Sequence, residues 1–227
     1  MSRRLPVRGR ALLAAVAVAA AVACTDGDGE GTTSSTTTPS SSTSQTIAPD
    51  DPELSALLLT TADLPPGFVP AEDVDDTITT FCAGQDAAAG LQASGRAVAG
   101  FTREQAGASV IELLFRFDDG AAQFVEQAEE VLRACHEVPD ASGLAFRYEP
   151  LGTVVSDSLA PADASAGRFG TSIGSGELTT EVAVVQEGEL GALVAVLGLD
   201  EPRADLDALA ATAFGAALDR LEAAEAS

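Results

Sequence analysis

Three features of this sequence predict an α+β fold: an antiparallel β-sheet flanked by helices, in a single globular domain after a disordered tether. Several β-type runs follow one another in the second half, with no regular alternation of strand and helix. Two long stretches, around 121–135 and 206–221, repeat apolar residues every three and four positions, the period of an amphipathic helix. A Ser/Thr tract with nothing apolar to bury precedes roughly 170 residues that do carry core-forming side chains, a length suited to one domain. Strands in series with helices on either side read as a sheet that helices cover.

In chain order, Pro52-Glu53-Leu54 opens a short helix through Leu57-Leu58-Leu59, ended by Asp63-Leu64-Pro65-Pro66-Gly67. Gly84 to Gly100 is rich in small residues and ambiguous between classes. Val110 to Phe117 is β-branched and aromatic, a strand. A helix follows Asp118-Asp119-Gly120, its buried stripe being Ala121, Phe124, Val125, Ala128, Val131, Leu132 and Cys135. Leu144 to Tyr148 and Gly167 to Ile173 are strand candidates. Leu178 to Gln186 and Leu190 to Leu199 pair across the hairpin turn Glu187-Gly188-Glu189. Leu190 to Leu197 is apolar on both faces and therefore central and covered. Pro202 starts a last helix with Leu206, Leu209, Ala213, Phe214, Ala217, Leu218 and Leu221 on one stripe.

The first 23 residues are laid out for export. Arg3, Arg4, Arg8 and Arg10 precede an unbroken apolar run from Ala11 to Ala23. The stretch from Ala11 to Cys24 is 14 residues, short of the roughly 20 needed to span a bilayer. Ala21-Val22-Ala23-Cys24 resembles the signal of bacterial lipoproteins, with Ala21 where Leu is commoner. The resemblance implies diacylglyceryl transfer to the Cys24 thiol, cleavage after Ala23 and acylation, including palmitate, of the new amino terminus. The expected address is the outer face of the cell membrane, with acyl chains as the membrane partner. From Thr32 to Thr46, 13 of 15 residues are Ser or Thr, so residues 24–51 form a tether of roughly 25–30 Å r.m.s. span.

Removing the signal leaves eight arginines against all 35 acids, a formal charge of −27, with no lysine anywhere. Such a surface repels phosphate backbones, which argues against nucleic acid, and repels anionic lipid, which leaves anchoring to the acyl chains. Lipidation of Cys24 leaves Cys82 and Cys135 in a compartment that permits disulfides. They form the expected bridge, worth roughly 4 kcal/mol in the chain-entropy model; the alternative is two separate buried thiols.

Strings that resemble catalytic or metal motifs lack the context such chemistry needs. Gly170-Thr171-Ser172-Ile173-Gly174 matches a nucleophile elbow, but that motif requires strand, sharp turn and helix, with histidine downstream. The single histidine, His136, lies upstream. Cys135 and His136 are adjacent on a helix, roughly 100° apart, and do not face each other. Asp26-Gly27-Asp28-Gly29-Glu30-Gly31 resembles half an EF-hand loop, yet its twelfth position is Thr37. No metal, cofactor or catalytic residue is expected.

The order of features resembles actinobacterial sensor-domain lipoproteins, similar to the extracellular domain of mycobacterial membrane serine/threonine kinases. It runs from the lipoprotein signal and tether through Leu57-Leu58-Leu59-Thr60-Thr61-Ala62-Asp63-Leu64-Pro65-Pro66-Gly67-Phe68 and a cysteine. A strand ending in Phe115-Arg116-Phe117-Asp118, a helix carrying Phe124 and closing on Cys135, then the strand pair and final helix complete it. The resemblance implies a helix-flanked antiparallel sheet with a cleft for an unknown ligand. This chain offers one candidate disulfide where the kinase domains have two, and none of its residues maps onto a family binding residue. The reading is a non-enzymatic ligand-binding or sensing module. The alternatives are a lipid or glycolipid carrier of the cell envelope and an envelope hydrolase.

Overall fold

A computed structural model describes residues 50–71, 74, 80–81, 85–86, 91–103, 107–119, 121–134, 147–151, 164–173 and 175–226. Every described residue lies within one compact unit, Ser42–Ser227. In chain order the elements are α1 (Pro52–Ser55), β1 (Val69–Pro70), β2 (Thr80–Phe81), β3 (Gln85–Asp86), β4 (Ala93–Arg103) and β5 (Ala108–Phe117). Then come α2 (Ala121–Ala134), β6 (Arg147–Pro150), β7 (Ala164–Ile173), β8 (Gly176–Glu187), β9 (Leu190–Leu199) and α3 (Arg203–Glu225). Seven strands form one sheet in the order β1-β4-β5-β9-β8-β7-β6, and every neighbouring pair is antiparallel. Strands β2 and β3 make a separate two-stranded ribbon.

Strand alternation sends the two sides of the sheet to different helices. Leu113, Phe115, Phe117, Val182, Val184, Leu193 and Ala195 pack against Ala121, Phe124, Val125, Ala128 and Leu132 of α2. Phe101, Ala108, Val110, Ala183, Val194 and Val196 pack against Leu206, Leu209, Ala210, Ala213, Phe214 and Ala217 of α3. Each fully buried Leu, Val or Phe contributes about 1.5–3 kcal/mol of transfer free energy, so both helices are held mainly by these stripes. The three phenylalanines 115, 117 and 124 stack with ring centroids 5.5–5.9 Å apart in tilted and edge-on geometry. Strand β9 sits fourth of seven, and its run from Gly191 to Val196 is buried on both faces, as its two-sided apolar pattern predicts.

Three elements differ from the sequence expectation. Helix α1 is one turn, capped by Asp51, whose Oδ1 accepts from the Glu53 N–H at 2.8 Å, with Pro52 in the first helical position. It does not run on through Leu59, because the Leu59 N–H donates to Glu112 Oε2 at 2.6 Å and the Thr60 N–H to Asp63 Oδ2 at 2.7 Å. Those amides are withdrawn from the helical ladder. Strand β4 occupies much of the ambiguous stretch and pairs with β5 from Ala93 to Arg103. Strand β6 extends to Pro150, with residues 144–146 outside the described set.

Candidate functional site

Two polar features stand out on the side of the sheet that α3 covers, and a third at the sheet's end. The first is Glu112 in β5, 1% exposed and flanked across the ladder by Ala99 of β4 and Val194 of β9. Its Oε2 holds the Leu59 N–H, while Oε1 has no hydrogen-bond partner among the described residues. Burial pushes its carboxyl up to about 7, against the Leu59 hydrogen bond and Arg220, with Asp63 adding to the rise. Beside it, Asp63 Oδ2 accepts from the Thr60 N–H and hydroxyl, each at 2.7 Å, and from Arg220 Nη2 at 2.6 Å. Partial burial alone would raise Asp63, but Thr60 and Arg220 outweigh it and hold the carboxyl below its usual range. Leu59, Leu64 and Phe68, from the sequence run 57–68, bury in the α3-side core. The Arg103 guanidinium lies 5.3 Å from the Phe68 ring centre, a cation–π contact.

The second feature is an ion network. Arg168 of β7 is 7% exposed, and its Nε donates to Oε1 of the fully buried Glu181 across the ladder at 2.8 Å. Its Nη2 reaches both Glu181 and Asp207 of α3, and Nη1 lies 3.7 Å from Glu149 Oε2. Arg203 grips both oxygens of Glu149 at 2.7 and 2.8 Å. Three carboxylates thus share two guanidiniums. Burial raises the Glu181 carboxyl, Arg168 opposes the rise and Asp207 reinforces it.

The third is a concavity of about 600 Å³ at the end of the sheet. Its walls are Glu53 and Leu57, Arg116 of β5, the β8–β9 turn from Glu187 to Leu190, and Ala224 and Glu225 at the end of α3. The turn is possible because Gly188 takes φ +57°. Arg116 is held to one side, its Nε 3.2 Å from Asp51 and its Nη2 3.3 Å from Glu53. Four carboxylates and the negative end of α3, which has no basic residue in its last turn, leave the space electronegative.

Ser172 stands exposed within β7, paired opposite Glu177 of β8, so its surroundings are a strand and not an elbow leading into a helix. Cys24, Cys82, Cys135, His136 and the Asp26–Gly31 string lie outside the described residues, although α2 ends one residue before Cys135. Among the described residues no group of three His, Cys, Asp or Glu is arranged to hold a metal, and no helix is long and apolar enough to cross a membrane. The sequence reading missed Glu112, the Arg168 network and the concavity. Its available signal was a charge set between uncharged neighbours in a strand: Glu112 between Ile111 and Leu113, and Arg168 between Gly167 and Phe169.

No family model matches the chain, and no curated protein matches it. Among solved structures it is similar to the extracellular domain of PknH from Mycobacterium tuberculosis. That likeness is at 15% identity over 73% of this chain and 94% of that one, with a TM-score of 0.48. It is also similar to the Saccharomyces cerevisiae Ran-binding protein Mog1p, at 11% identity over 70% of this chain and 83% of that one, TM-score 0.33.

Proposed function

We propose that the chain is an extracytoplasmic, lipid-anchored ligand-binding or sensing module without catalytic activity, and that its ligand presents a positively charged group to the concavity at the end of the sheet. Export and anchoring follow from the basic, apolar and Ala21–Cys24 order of the N-terminus, with Cys82 and Cys135 paired as a disulfide in that compartment. The observation that carries the ligand reading is the acid-walled concavity, where Glu53, Glu187, Glu189 and Glu225 outnumber Arg116. Four acidic residues around a half-open space favour an ammonium or guanidinium head over an anion.

A lipid carrier is the weaker reading, since an acyl chain needs an enclosed apolar cavity. Helix side chains sit hard against the sheet: a Cβ at Gly191 would lie 2.9 Å from Phe117 and Phe124, and one at Gly198 2.5 Å from Leu206. A hydrolase is weaker still, because Ser172 stands in a strand opposite Glu177.

Titration of the exported chain with spermidine, read by amide NMR, tests the proposal. Shifts should concentrate at Gly188, Glu189 and Leu190, and a chain with Glu187→Gln, Glu189→Gln and Glu225→Gln should bind at least roughly tenfold more weakly, about 1.4 kcal/mol. Equal affinity of the two chains would remove the concavity from the argument. Co-purifying lipid in native mass spectrometry would favour carriage.

A further inference from the structure

We propose that the segment from Asp51 to Phe68 is a strap whose seating on the sheet is governed by the charge of Glu112. The strap covers the α3 side of the fold through Leu54, Leu58, Leu59, Leu64 and Phe68, all buried. Its start is tied to the sheet by the Asp51 N–H on the Arg96 carbonyl at 2.8 Å and by Arg116 on Asp51 and Glu53, and its middle by a second polar cluster. Leu59 N–H donates to Glu112 at 2.6 Å, and the turn Thr60–Asp63 is tied to Arg220 of α3 at 2.6 Å. Glu112 is therefore the sheet's own polar hold on the middle of the strap, and its second oxygen has no partner among the described residues to balance an ionised charge.

Glu112 is faced from the strap, from α3 and from the sheet. The strap brings Asp63, which repels its negative charge, and the Leu59 N–H, which favours it. Helix α3 brings Arg220, already committed to Asp63. The adjoining row of the sheet brings Ala99, Val194 and Ala183, none of them charged. Nothing on that list repays the cost of a buried carboxylate in full, and burial accordingly pushes the group up to about 7 from 4.5.

The direction of the switch follows by linkage. A seated strap holds Glu112 protonated up to about pH 7, whereas a lifted strap exposes it to water and returns it to the ordinary range near 4.5. The seated state thus binds the extra proton between those values, so its advantage is whole below about 4.5, declines as pH rises to about 7 and is level beyond. Asp63 acts oppositely, but its carboxyl lies below its ordinary value of 3.8, so its contribution is constant from pH 5 to 8. The strap is fastest below about pH 4.5 and loosens progressively from there to about 7. Glu53 and Leu57 belong to the strap and wall the concavity, so loosening would also reshape that space. The strap's response to pH does not depend on whether the concavity takes a ligand.

Amide hydrogen exchange on the full exported chain, corrected for intrinsic rates, reads the strap directly. From pH 5 to pH 8 the opening constant for residues 57–64 should rise on the order of 100-fold, with the amides of β5 and β9 lagging behind. In Glu112→Gln, a neutral side chain of the same shape, that dependence should disappear. An unchanged pH profile in Glu112→Gln, or parallel exchange of strap and sheet, would overturn the proposal. Should Glu112→Gln fail to fold, the wild-type Leu59 amide shift still decides: a titration midpoint near 7 supports the strap, and one near 4.5 overturns it.

Discussion

Arg168 illustrates how a single side chain sets the terms for several others. It is the one arginine among the described residues that is nearly fully buried, and Glu181 beneath it is buried completely. Replacing Arg168 by Leu strands that carboxyl without its charge partner, which should cost about 3–5 kcal/mol in urea unfolding at neutral pH. Without the guanidinium the Glu181 carboxyl would rise further, so the penalty should shrink as pH falls and Glu181 takes up a proton. The double change Arg168→Met, Glu181→Leu should recover most of the loss, since an apolar pair of similar volume requires no desolvated charge. A single substitution with no measurable cost would show that the pair is not coupled. Both charges are visible in the sequence between uncharged neighbours in their strands. Their partnership with Asp207 is not, because that residue lies 39 positions beyond Arg168 on a helix whose docking is a tertiary event.

Among the elements, β9 and α2 packed around glycine show what spacing leaves out. Gly191 lies opposite Phe115 in the ladder and directly under Phe124, where an added methyl would sit 2.9 Å from two aromatic rings. Gly191→Ala should therefore destabilise the fold by about 1–3 kcal/mol through overpacking. Gly215 in α3 is the contrast: a Cβ there meets nothing within 4 Å, so Gly215→Ala should stabilise by about 0.5–1 kcal/mol through helix propensity alone. Chemical denaturation of the two variants side by side checks both signs, and similar effects would contradict the packing described. Strands β5 and β9 and helices α2 and α3 were legible because their apolar periods are long. Strand β4 was not, since Ala93-Ser94-Gly95-Arg96-Ala97-Val98-Ala99-Gly100 is poor in β-formers and is extended by its pairing with β5.

For the whole molecule, the proposed lipid anchor has to hold an acidic domain at a membrane. A formal −27 after signal removal repels anionic lipid, so anchoring in the proposed reading rests on acyl chains at Cys24. Cys24→Ala should accordingly move the exported protein from the membrane fraction to the soluble fraction. Retention on membranes after salt and carbonate washing would refute the lipid anchor.

The sequence by itself determined the class of fold, the central place of Leu190–Leu199, the turn at Gly188 and the two helical stripes. Those follow from local rules: period, turn chemistry and capping act over a few residues. Only the tertiary structure decided that Leu59 gives its amide to Glu112, 53 positions away, so that it cannot carry on a helix. It also brought Glu53, Arg116, Glu189 and Glu225 from four separate segments to one concavity. Burial and the meeting of distant charges depend on which faces dock, and docking is set by the sum of many weak apolar contacts that no short window of sequence contains.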